Sequence, residues 1–409
     1  MISQLVETSE EDSFLATARY IGDLLDEGQG RTALADTAGS QFTKESEALL
    51  AEGRYSELLT HFVGNFQLLF AKGQGKDIEC CLNLLCHLLL RIDQDKVPAA
   101  AEGLAKGISA EVDSHAEIRL QALMQLHSLT PDTASRLQAL LTALSYAQRA
   151  GLTSSVAITV KARLENWLKE LAHRKVDERR LLLAAAELLR STKKKGRPTH
   201  PRDAFRVTLR ALNTFEGASS SEAAGVRDVA GLTLVDFARF QDIVQFDLAD
   251  SPAVTQLKGD SQYGALYTLM GVLLAGDVQG LQSWLSSNAA QLESHSLSRD
   301  DLLTKARMCA LLRLAHESSV ITFSQVVEQL HVSEEEVEAW VVKAIGRGLL
   351  AARINQTTKQ LTVTRAAHTQ FQPSDWQTLR PKLALWQEHV KEIMSVVNSK
   401  QGVLGTVHG

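Results

Sequence analysis

Apolar residues recur at helical spacing along most of the chain. Leu137, Leu140, Leu141 and Leu144 fall on one face. Val160, Leu164, Trp167, Leu168 and Leu171 form a second face, and Leu181, Leu182, Ala185, Leu188 and Leu189 a third. The breaks between them are short, at LTPDT (129–133), RAGLTSS (149–155) and AHRKVD (172–177). Helices of about 12–20 residues with short turns are what stacked helix pairs require. There is no strict repeat period and no tetratricopeptide consensus, so the pattern predicts a loose right-handed helical array. Before it come a helix at Glu11–Leu25 and a Gly-rich loop, GQGRTALADTAGS (28–40). After it a basic, proline-containing break (192–202) and a small polar one (216–225) precede helices at Val226–Phe240, Gln262–Ala275 and Asp277–Asn288. Asp301–Leu314 then sets Leu303, Ala306, Ala310 and Leu314 on one side.

The pattern changes between Val320 and Thr364, where two capped helices and a strand hairpin follow in the order of a winged helix. Thr322 caps a short helix, Phe323–Leu330, and Gln325 completes a capping box. Ser333 caps a second helix, with Glu336 at the reciprocal position. Val337, Val341, Ala344 and Ile345 predict its buried face, and Gly346 and Gly348 end it. LAARIN (350–355) and QLTVTR (360–365) flank Gln356-Thr357-Thr358-Lys359, a connection suited to a hairpin. A DNA reader would carry Arg, Lys or Asn on the second helix. Here its first turn holds Glu334, Glu335, Glu336 and Glu338, answered only by Lys343 and Arg347. Carboxylates suit a helix N-terminus but repel phosphate. The module reads as protein-facing.

The last segment carries a seam. Trp376, Leu379, Leu383, Trp386, Val390, Ile393 and Val397 alternate spacings of three and four, an a/d heptad pattern. Seven large apolar residues at such spacing suit packing against helices of other subunits. Pro381 falls on the opposite face, where it predicts a kink or a helix restart near Thr378.

Composition narrows the function. The net charge of −5 over 409 residues argues against a dedicated nucleic-acid binder, and aromatics at 5% leave few platforms for stacking bases. Cys80, Cys81, Cys86 and Cys309 match neither a zinc spacing nor a disulfide framework, which suits a reduced compartment. The N-terminal MISQLVETSEEDSF is acidic and lacks an apolar core, so no secretory leader is expected, nor any membrane span. A cytoplasmic protein is the expectation. Lys72-Gly73-Gln74-Gly75-Lys76 resembles a phosphate loop only briefly, since Phe70 and Asp77 occupy the positions of its Gly and Ser/Thr. No HExxH, Cys-x-x-Cys or GxSxG site accompanies a suitable fold pattern, so a non-enzyme without cofactor or metal is expected. Lys193, Lys194, Lys195 and Arg197 suit a solvated loop after a helix, with RNA contact as the sharper alternative.

A helical array running into a winged helix and a terminal helix resembles the PCI-domain family of the proteasome lid, the COP9 signalosome and translation initiation factor 3. Several stretches resemble the subunit m family of eukaryotic translation initiation factor 3, in its plant and algal forms. They are TSEED (8–12), Arg119-Leu120-Gln121 with Leu123, DLADSPAVTQL (247–257), KARMCALLRLA (305–315), VSEEEVEAWVVKAI (332–345), INQTTKQLTVTRAAHTQF (354–371) and DWQTLRPKLALWQEHV (375–390). Pro381 and the Lys193–Arg197 loop depart from the family pattern.

The resemblance implies a scaffold subunit of that factor, supporting its assembly on the 40S ribosomal subunit and formation of the 43S preinitiation complex. Its partners would be other PCI and MPN subunits and the 40S subunit, with no membrane or small-molecule substrate. Wing strands 350–355 and 360–365, through Leu350, Ala352, Ile354, Leu361 and Val363, would carry edge pairing. The Trp376–Val397 seam would enter a shared helical bundle. The rival readings are a COP9 signalosome PCI subunit and a nucleic-acid-binding PCI adaptor. The latter has only Lys343, Arg347, Arg353, Lys359 and Arg365 to offer on the winged helix. The expected architecture is mostly α: an N-terminal segment (1–40), a helical-repeat array (41–202), a PCI domain (203–371, with a helical part 203–316 and winged helix 317–371) and a C-terminal assembly helix and tail (372–409).

Overall fold

Two glycines bring the first pair of helices into contact. In the computed structural model, which describes residues 12–27, 37–171, 174–370 and 373–404, α1 (Ser13–Asp26) and α2 (Ala38–Ala51) cross at Gly22 and Gly39. A Cβ on Gly39 would lie 2.1 Å from the Gly22 carbonyl oxygen, so the approach requires hydrogen at this position. Asp26 ends α1 and holds the start of α2, accepting from Thr37 Oγ1 at 2.7 Å and the Gly39 amide at 2.9 Å. Its carboxylate thereby meets the positive end of the α2 dipole. Most of the expected Gly-rich loop (28–36) and most of TSEED (8–11) lie outside the described residues.

The first compact unit ends at Thr214. It continues with α3 (Tyr55–Val63), α4 (Phe66–Lys72), α5 (Gly75–Leu88), α6 (Val97–Ser109), α7 (Ala116–Leu129), α8 (Thr133–Arg149), α9 (Thr153–Glu170) and α10 (Lys175–Ser191). A small hairpin, β1 (Lys193–Lys194) and β2 (Arg197–Pro198), precedes α11 (Pro201–Asn213). The predicted faces are the buried ones: Val160, Leu164, Trp167, Leu168 and Leu171 all enter the core, as do Leu181, Leu182, Ala185, Leu188 and Leu189. Leu141 sits at the margin, packed against the core but only partly buried. The sequence suggested a boundary at residue 202, yet α11 packs on α10 in the first unit. Arg179 of α10 fixes the end of α11 by donating to the Thr214 carbonyl at 2.8 Å and its hydroxyl at 3.2 Å.

The second unit begins at Phe215. Its helical part comprises α12 (Ser220–Ala224), α13 (Arg227–Arg239), α14 (Pro252–Thr255), α15 (Gly264–Ala275), α16 (Val278–Ser287), α17 (Ala289–Ser294) and α18 (Arg299–Glu317). The winged helix follows as β3 (Val320–Thr322), α19 (Phe323–Leu330), a 3-10 turn at Glu334–Glu336, α20 (Val337–Gly346), β4 (Leu350–Asn355) and β5 (Gln360–Ala366), and α21 (Pro373–Leu404) closes the chain. The architecture is mostly helical, a helical array in the first unit and a winged helix in the second. One apolar core joins α18 to the winged helix through Met308, Leu311 and Leu312 against Val326, Val341 and Leu361.

Candidate assembly surfaces

The winged helix is positioned by its caps. Thr322 accepts from the Gln325 amide while the Gln325 side chain accepts from the Thr322 amide at 2.9 Å, which satisfies two orphan donors of α19 reciprocally. Ser333 and Glu336 repeat the arrangement. Arg307 of α18 donates to the carbonyls of Leu330 (3.1 Å) and His331 (3.3 Å), closing the far end of α19. Val337, Val341 and Ala344 of α20 are buried. Ile345, expected beside them, is 37% exposed, and Gly348 then reverses the chain at φ +70°.

The sheet has an order that the hairpin alone did not reveal. Beyond β4 and β5, the run Val320–Thr322 forms a third strand, so β5 lies in the centre with β3 and β4 on its flanks. Ile321 pairs with Leu361 on one side and Ile354 pairs with Leu361 on the other. The Val363 amide donates to the Ser319 carbonyl at 2.8 Å. Leu361 and Val363 therefore have neighbours on both sides, so the expected edge role of β5 is corrected: the free edges of the sheet are β3 and β4. Leu350, Ala352 and Ile354 do belong to an edge strand, β4. A register shift between Ala351 and Ala352 twists that edge.

Three of the five winged-helix cations, Lys343, Arg347 and Lys359, are engaged within the protein, while Arg353 and Arg365 are exposed. Lys359 pairs with Glu334 at 2.6 Å, and Gln356 donates to Glu338 at 2.5 Å, tying the wing to the acidic turn. Lys343 Nζ lies 4.6 Å from the Trp340 ring centroid, and the Arg307 guanidinium carbon lies 5.1 Å from it. Arg347 donates to the Gln241 side chain. Lys343 and Arg307 therefore stack on an aromatic ring, and Arg347 binds a protein acceptor.

Among the described residues, most of the exposed large hydrophobic side chains lie on helix α21. It runs unbroken from Pro373 to Leu404 with Pro381 inside it, so the restart expected near Thr378 does not occur. At 1.5 Å per residue its 32 residues span roughly 48 Å. Trp376 is 61% exposed and Trp386 67%, and Leu383, Val390, Ile393 and Val397 are exposed as well. Leu379 is half-buried. Among the described residues, no other helix or strand packs extensively along α21. Three apolar side chains outside the heptad pattern are also exposed, Leu385, Met394 and Val396. A search for a single stripe passes over them.

Elsewhere, Lys193, Lys194, Lys195 and Arg197 are exposed on the β1–β2 hairpin. Among the described residues no cluster of His, Cys, Asp and Glu could hold a metal ion. No described helix is long and apolar enough to cross a membrane.

The PCI domain model matches residues 285–365, from the end of α16 through nearly all of β5. The chain carries a PCI domain. Beyond this PCI domain, the likeness to one kind of PCI protein extends over most of the chain. Eukaryotic translation initiation factor 3 subunit M of Dictyostelium discoideum is 24% identical over 370 residues, covering 88% of this chain and 90% of that one. The subunit M of Nematostella vectensis is 23% identical, covering 88% and 92%. That of Schizosaccharomyces pombe is 25% identical, covering 85% and 83%. The PCI match stops at Arg365, so α21 and its seam lie outside it, and the array of the first unit precedes it.

Proposed function

We propose that this PCI protein is a non-catalytic scaffold subunit of eukaryotic translation initiation factor 3. It would work in the cytoplasm and support assembly of the factor on the 40S subunit and formation of the 43S preinitiation complex. The observation that carries this reading is the exposed seam of α21. Monomeric proteins rarely leave a contiguous apolar stripe of this length in water, and heptad spacing specifies helices as its occupant. The similarity to subunit M over most of both chains favours the initiation factor over the signalosome. The occupants would be terminal helices of other PCI and MPN subunits.

The winged helix adds a second contact. Its β4 edge offers backbone groups to a strand of a neighbouring subunit, while the extra residue of the register shift, Thr364, lies on the central strand β5. The adaptor reading is disfavoured because Lys359 and Arg347 already have protein partners, which leaves Arg353 and Arg365 as exposed cations on a module whose second helix opens with four glutamates.

Affinity purification of the tagged chain from its native cytosol, with mass spectrometry of the co-purifying proteins, tests the proposal. Recovery of initiation factor 3 subunits together with 40S proteins is expected. Recovery of signalosome subunits, or of the chain alone, would overturn it.

A further inference from the structure

The basic segment after α10 is an ordered hairpin rather than a loop. Lys193 pairs with Pro198 and Lys194 with Arg197, and Lys195 (φ +52°) and Gly196 (φ +78°) make the two-residue turn. Two successive positive φ values are the signature of a turn whose twist matches that of the strands it joins. The base is anchored in the first unit. Thr192 is buried and donates its hydroxyl to the Leu188 carbonyl at 2.7 Å, while the Thr199 amide donates to the Thr192 carbonyl at 3.1 Å.

The tip is uncompensated. Lys193, Lys194, Lys195 and Arg197 are all exposed, and the 192–202 segment contains no acidic residue. The next carboxylate along the chain, Asp203, is already engaged by Lys161 at 2.6 Å and His200 at 3.4 Å. The hydrogen bond from Lys161 is the first cause that holds the Asp203 carboxyl below its usual range. Among the described residues none of the four hairpin cations makes an ion pair. Lys194 and Arg197 are moreover direct cross-strand partners, and like charges in that relationship destabilise a hairpin. A bound anion would relieve that repulsion.

We propose that this hairpin binds the phosphate backbone of RNA without reading its sequence. A protein partner would need an apolar or aromatic anchor at the centre of the contact, and the tip Lys-Lys-Lys-Gly-Arg-Pro supplies none. The same lack of aromatics leaves no ring on which a base could stack, so the contact is with phosphates. A pre-formed hairpin loses less conformational freedom on binding than a loop would. The hairpin belongs to the first unit and α21 to the second, and the inference does not depend on the seam.

The test compares the full-length chain with a variant carrying Lys193→Gln, Lys194→Gln, Lys195→Gln and Arg197→Gln. Anisotropy of a fluorescein-labelled RNA stem-loop is titrated at several salt concentrations, with fluorescein-labelled poly-L-glutamate as a second probe. Each phosphate contact contributes roughly 0.7–0.9 to the slope of log affinity against log salt. With four cations removed, the variant should therefore lose roughly three units of slope and bind at least ~10-fold more weakly at low salt. Its thermal melt should be unchanged or raised, because the Lys194–Arg197 repulsion is gone. An unchanged affinity and slope would overturn the proposal. So would a variant that loses poly-L-glutamate but keeps RNA, since the hairpin would then serve an acidic protein.

Discussion

Lys305 Nζ lies 3.4 Å from the centroid of the Phe237 ring and donates to the Phe240 carbonyl at 3.0 Å. It also donates to the Phe237 carbonyl, so one buried ammonium closes the C-terminal end of α13 from α18. Burial pushes its pKa down to about 7, opposed by the nearby Cys309 and Asp242. An unfolded lysine titrates near ~10.4. Between these two values the unfolded chain holds a proton that the folded chain has released, so stability rises with pH across that window. The urea midpoint of the wild type should climb from about pH 7 to about pH 10 relative to Lys305→Met, which has no such group. Lys305→Met should also cost roughly 2–3 kcal/mol, because two buried carbonyls lose their donor. Parallel pH profiles for the two proteins would contradict the assignment.

Arg119 plays the corresponding part in the first unit. Its guanidinium carbon lies 3.4 Å from the Phe70 ring centroid, and it donates to the carbonyls of Ile108 and Ser114, both at 2.9 Å. It is 1% exposed. Arg119→Met should destabilise by about 2–4 kcal/mol, and Arg119→Lys should recover only part of this because the planar fork is lost. Denaturant melts followed by circular dichroism read both.

Gly276 closes α15 at φ +63°, and a Cβ there would meet the Ala310 amide nitrogen of α18 at 2.5 Å. The neighbour is backbone and cannot move aside. Gly276→Ala should cost roughly 2–4 kcal/mol, from the left-handed backbone together with the displaced helix. A shift in thermal midpoint no larger than that of a surface Gly→Ala change would show that the two helices separate freely.

Much of this was legible along the chain because it is local. Both capping boxes, the hairpin connection at 356–359 and the buried faces of α9 and α10 follow from spacings within a few turns. The third strand carries no signal of its own in the sequence, since Val320–Thr322 is three residues long and gains its strand character only from pairing with β5. That pairing moved Leu361 and Val363 from an edge to the centre. The β1–β2 hairpin was passed over for the same reason, a two-residue strand being too short to show a period. Pro381 removes one hydrogen bond from α21 without interrupting it, since the remaining turns on either side sustain the helix. Lys305 carries no signal in the sequence: its partners are more than sixty residues away.

We propose that the α21 seam joins other subunits, and Trp386 is its most exposed large side chain. Because Trp386 is in water in the free chain, Trp386→Asp should change its folding stability by no more than ~0.5 kcal/mol. In an assembled bundle the same change would place an unpaired carboxylate in a desolvated contact. The direct measurement is quantitative co-purification of the tagged wild-type and Trp386→Asp chains from the same cytosol, with each chain's melting curve as the folding control. Loss of partner subunits from a variant that melts like the wild type is the predicted result. Undiminished recovery of those subunits would contradict the account.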